Sequence, residues 1–74
     1  MYHKHLLFIP AYNCEKQIVK VIKKISSSKL LTNFSEILII DNCSEDNTVE
    51  VANKKILELN LKQARVVQNN SNYN

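Results

Sequence analysis

Glycine is absent from this chain of 74 residues. Loops that cradle a phosphate by close backbone approach, of the GxGxxG or the Walker type, are built on glycine, so dinucleotide-binding and P-loop readings find no support. Cysteine is scarce: Cys14 and Cys43 lie far apart, form no CxxC metal pattern, and are expected to be reduced thiols of a cytosolic protein. No apolar run approaches the ~20 residues that span a bilayer, and the N-terminus shows no signal-peptide hydrophobic region. Aromatic residues are few and are not interleaved with bases, which argues against an RNA-binding surface.

What is present is apolar. Hydrophobic residues make up 45% of the chain, yet a domain of this size removes only about 60% of its unfolded surface from water. The apolar runs suit a core larger than this chain encloses, so it is expected to be a fragment whose isolated form is partly molten or self-associating. Ten Lys and Arg against seven Asp and Glu give a formal charge of +3, spread along the chain. That balance reads as a solvated face, although it also suits an anionic ligand or membrane surface.

Two short apolar runs read as buried strands: Leu6 to Ile9, ended by Pro10, and Ile37 to Ile40. Between them Ile18, Val21, Ile22 and Ile25 recur at helical spacing, with Lys16, Lys20, Lys23 and Lys24 on the other face and Asn13 as the N-cap. The Ser26 to Ser28 run breaks that periodicity, and a polar turn near Thr32 and Asn33 follows. Val49, Ala52, Ile56 and Leu59 mark a second helix, capped by Asp46 or Asn47, with Glu50 completing a capping box if Asn47 is the cap. "ARVVQ" is a third strand and "NNSNYN" a loop. The order β-α-β-α-β predicts an α/β, Rossmann-like parallel sheet with right-handed crossovers and helices on both faces.

Ligands in such sheets bind beyond the carboxyl ends of the strands, where "PAYNCE" and "DNCSEDN" fall. There Tyr12, Asn13, Glu15, Asp41, Asn42, Ser44 and Asp46 share one rim. Tyr12 could stack on a flat base while Asp41 accepts hydrogen bonds from ring N–H or ribose hydroxyl groups. Plainer roles stand beside these. Tyr12 could pack on the sheet edge, Asp41 could be a turn residue, and Ser44, Asp46 and Asn47 could be caps. Glu15 suits a first helical turn whatever the function, and His3 and His5 read as solvated residues.

"FIPAYNCEKQIVKVIKKI" followed by "EILIIDNCSEDNTVEVA" resembles the N-terminal part of family 2 glycosyltransferases, whose pattern is strand, P-A-Y-N-E-E, helix, strand, D-D-G-S-x-D-x-T, helix. "VVQNNSNY" is similar to the family's third-strand segment, so the resemblance runs from about Leu6 to Asn74. It implies a single partial domain over residues 1–74, the start of a GT-A fold, and a nucleotide-sugar donor, usually a UDP-sugar, with an unidentified acceptor. By motif position Pro10, Ala11 and Tyr12 line the nucleoside pocket, Glu15 sits near the nucleoside, and Asp41 accepts the base N–H. Asp46 and Thr48 fix the loop. Asn42 replaces a common Asp, and Cys43, Asn47 and Asn74 stand where glycine is frequent.

The family's D-x-D motif, its catalytic base and its acceptor region fall outside the matched segments. No metal ligands or catalytic residues are therefore assigned here, and the divalent cation, Mn or Mg, is expected of full-length members. This segment alone is expected to be inactive. The expected location is the cytoplasm or the inner face of the membrane, with membrane association only through other regions, and no nucleic-acid partner is expected. Two other classes compete with this one. A receiver-like signalling module needs carboxylates after the first strand, which "FIPAYN" does not supply, and a small basic binding protein rests on net charge alone.

Overall fold

The computed structural model describes residues 5–29 and 31–69. Strand β1 (His5–Ala11) leads into helix α1 (Glu15–Ser26), and a single 3-10 turn (Leu31–Asn33) precedes strand β2 (Phe34–Asn42). Helix α2 (Thr48–Glu58) and strand β3 (Ala64–Asn69) complete the described chain. The three strands form one parallel sheet in the order β1-β2-β3, the expected α/β arrangement. His3, Asn74 and most of "NNSNYN" lie outside the described residues.

Strands β1 and β2 run beyond their expected limits. β1 continues through Pro10 to Ala11, because β1 borders this sheet and a proline there forfeits no ladder bond that a central strand would need. β2 begins at Phe34 and runs past Ile40 to include Asp41 and Asn42, with Asp41 paired to Ala11 and Gln68. The apolar run thus marks only the middle of β2.

The helices cover one face of the sheet, not both. Ile18 and Ile22 of α1 and Ala52 of α2 share one core with Ala11, Ile37, Ile39, Leu61 and Ala64, and the two helices pack against each other. Along β2 the alternation is sharp. Ile37, Ile39 and Asp41 are buried, whereas Leu38, Ile40 and Asn42 are only partly covered. Strands laid down in sequence order by crossovers of one hand place successive helices on the same side, and a helix on the other face requires the strand order to reverse.

Among the described residues three take left-handed backbone conformations: Asn13 (φ 44°), Cys43 (φ 58°) and Asn60 (φ 52°). In a chain without glycine, asparagine serves twice, as the non-glycine residue that tolerates this region best. Asn60 follows the last residues of α2, where a left-handed residue commonly ends a helix. Asn47, in contrast, has φ −90°, so the glycine frequent at that position is not needed for backbone reasons.

Candidate functional site: two loops clasped at the carboxyl rim

The loops after β1 and β2 are joined by side-chain to backbone hydrogen bonds. The Asn13 N–H donates to Ser44 Oγ at 2.8 Å, and the Glu45 N–H donates to Asn13 Oδ1 at 2.8 Å. The Cys14 N–H donates to Thr48 Oγ1 at 2.9 Å, and the Glu15 N–H to Asp46 Oδ2 at 3.3 Å. Each hydroxyl is itself aimed by a carboxylate. Ser44 donates its hydroxyl to Asp41 Oδ1 and its N–H to Asp41 Oδ2 at 3.1 Å, while Thr48 donates its hydroxyl to Asp46 Oδ1 and its N–H to the same oxygen at 3.0 Å. Two parallel relays result, each running from carboxylate through hydroxyl to an amide of the first loop.

This arrangement revises the capping scheme. The residue before α1 is Cys14 rather than Asn13, and Asn47 precedes α2, yet neither makes a side-chain capping bond. Asp46 supplies the acceptor for the first amide of both helices, Glu15 and Thr48. A carboxylate there also meets the positive ends of two helix dipoles. The hydrogen bond from the Thr48 hydroxyl is the main cause holding the Asp46 carboxyl below its ordinary value of 3.8, with the Thr48 and Glu15 amides adding to it.

The proposed nucleoside residues divide by exposure. Tyr12 is 54% exposed, Pro10 is exposed and Glu15 is half-buried, all at the rim. Ala11 is 4% exposed, and Asp41 is fully buried with an oxygen engaged by each Ser44 donor. Asn42 and Asn69 are paired at the ends of β2 and β3. Cys43 keeps its left-handed turn and donates its thiol to the Asn69 carbonyl at 3.1 Å, which ties the second loop to β3. Cys14 and Cys43 are both free thiols. Among the described residues no group of three or more His, Cys, Asp or Glu side chains could hold a metal ion.

Sequence reasoning placed Asn13, Ser44 and Asp46 on the rim but missed what they do to one another. The spacing carried a signal: an Asp three residues before a Ser and another two before a Thr are the offsets at which a short carboxylate bonds its own downstream backbone.

The comparison with protein families decides the class. The family model described as "Glycosyl transferase family 2" matches residues 6–74. The chain belongs to this family. Among curated relatives, two poly(ribitol-phosphate) beta-N-acetylglucosaminyltransferases called TarS, from Staphylococcus aureus strains Mu50 / ATCC 700699 and MW2, are each 29% identical over 66 residues. The match covers 89% of this family 2 chain but 12% of each relative's length. No solved structure matches it significantly. Membership replaces the receiver-like and basic-binding alternatives, and the three-stranded parallel sheet is consistent with the Rossmann-like start of a GT-A fold. No helix among the described residues is long and apolar enough to cross a membrane.

Proposed function

We propose that this chain is the donor-binding N-terminal segment of a glycosyltransferase, and that its carboxyl rim takes the nucleoside of a nucleotide-sugar, a UDP-sugar by family analogy. The observation that carries the reading is Tyr12, an aromatic residue more than half exposed at the end of β1, on a loop fixed by cross-loop bonds at the start of α1. An exposed ring on a fixed loop can stack on a base without ordering itself first. Pro10 and Glu15 flank it, and Ala11 contributes backbone. Asp41, the expected acceptor of the base N–H, also holds Ser44 through both of its carboxylate oxygens. The relatives' names concern N-acetylglucosamine transfer to poly(ribitol-phosphate), and the sugar and acceptor of this chain are left open by the rim. Among the described residues no cluster could hold a divalent cation, and Mn or Mg remains an expectation for full-length family members.

Calorimetric titration of the chain with UDP and CDP tests the reading. Tyr12→Ala should weaken both by similar amounts, about 1–3 kcal/mol, because stacking tolerates base identity. Unchanged affinity for both nucleotides would remove the rim as a nucleoside site.

A further inference from the structure

We infer that Ser44 is a positioning residue for Tyr12, acting through the Asn13 amide; this rests on the nucleoside reading of the rim. The Asn13 N–H belongs to the planar peptide that joins Tyr12 to Asn13, so an acceptor that holds this N–H fixes the whole plane and the rotation of Tyr12 about its Cα–C bond. Ser44 Oγ is that acceptor at 2.8 Å. The hydroxyl has one proton, and its donation to Asp41 Oδ1 turns the oxygen's lone pairs away from the carboxylate and toward the amide. Asp41 is fully buried in β2, the central strand, where neighbours on both sides pair with it, so the relay runs from the sheet to the loop that carries Tyr12.

A second tether keeps the same peptide from rocking. The Asn13 side chain accepts from the Glu45 N–H at 2.8 Å, so the residue after Tyr12 is held through backbone and side chain by consecutive residues of the opposite loop. Asn13 is also in the left-handed region, a conformation that an untethered non-glycine residue leaves readily. Loss of the Ser44 hydroxyl should release the turn, spread Tyr12 over more orientations and reduce the fraction competent to stack. Because the effect travels through the aromatic ring, it should not depend on which base is bound.

Ser44→Ala, Ser44→Thr and Tyr12→Ala test this in the 74-residue chain, or in a longer form of the protein if the chain alone does not melt cooperatively, with the Asn13 amide followed by NMR hydrogen exchange and nucleotide binding by calorimetry. Ser44→Ala should speed Asn13 exchange and weaken UDP and CDP equally, each by about tenfold, the equivalent of one lost hydrogen bond. Ser44→Thr retains the hydroxyl at a part-buried position and should restore both readouts to within about twofold. Ser44→Cys, a weaker donor and acceptor of similar size, should fall between them and replaces Ser44→Ala if that variant does not fold. Unchanged Asn13 exchange in Ser44→Ala, or in Ser44→Cys where it stands in, overturns the relay. Faster exchange with unchanged affinity, in a chain where Tyr12→Ala weakens binding, overturns the positioning role alone. No loss on Tyr12→Ala overturns the nucleoside reading and the positioning role with it.

Discussion

The two faces of the sheet are built from similar residues and meet different surroundings. On one face Leu7, Ile9, Ile37, Ile39, Ala64 and Val66 lie in or against the core under the helices. On the other, Leu6 and Phe8 are 51% and 55% exposed, and Leu38, Ile40 and Val67 are only partly covered. Side-chain hydrophobicity therefore does not report which face is covered. Unbroken apolar strands such as "ILII" fit a sheet buried on both sides, whereas the helices among the described residues bury one.

Truncation on each face is the sharpest way to break this comparison. Ile39→Ala, at 1% exposure, should cost about 2–5 kcal/mol in denaturant unfolding, whereas Phe8→Ala should stay within about 1 kcal/mol. Equal losses would mean that the open face is covered in solution, for instance by self-association, and Phe8→Lys should then lower the sedimenting mass. Asp41→Ala comes next. It leaves the Ser44 N–H and hydroxyl without their acceptor at the end of the covered face and should cost about 1.5–3 kcal/mol.

Cys43→Gly should work in the opposite direction. Relief of a left-handed non-glycine residue is worth about 1–2 kcal/mol, offset by the lost thiol contact with Asn69 and by the freer unfolded chain, so the expected gain is below about 1 kcal/mol. A clear loss would show that the thiol contact dominates. The smallest effect separates the rim from both faces. The Asp46 carboxyl titrates below its ordinary value, so its stabilisation is complete above pH 3.8 and declines as pH falls through the lower folded-state value. Asp46→Asn should flatten the acid limb of the stability curve, as read by thermal melts between about pH 5 and 2.

The element order and the parallel sheet were legible because strand continuity and helical spacing are local signals. Ile18, Ile22 and Ala52, picked out by spacing, do form the helix side of the core. The side on which the helices lie was not legible, since it depends on strand order and crossover hand together. The rim was half legible. Tyr12 and Asp41 were placed at the carboxyl ends, but the carboxylate of Asp41 alternates inward with Ile37 and Ile39 once β2 extends to Asn42. Asn13 looked like a cap because its residue type caps helices, and its side chain instead reaches the Glu45 amide, a partner 32 positions away that no local pattern reveals.

The carboxylate of Asp46, shared by the starts of α1 and α2, has a mechanical consequence. Asp46 lies in the loop just before α2, and its one oxygen pair accepts the first amide of each helix, so tilting either helix about that end strains the anchor of the other. The starts of the two helices and the loops that carry them are thus tied to one another at the rim. A push on the first turn of α2 should be transmitted to the first turn of α1, beside Tyr12, as displacement rather than absorbed as bending.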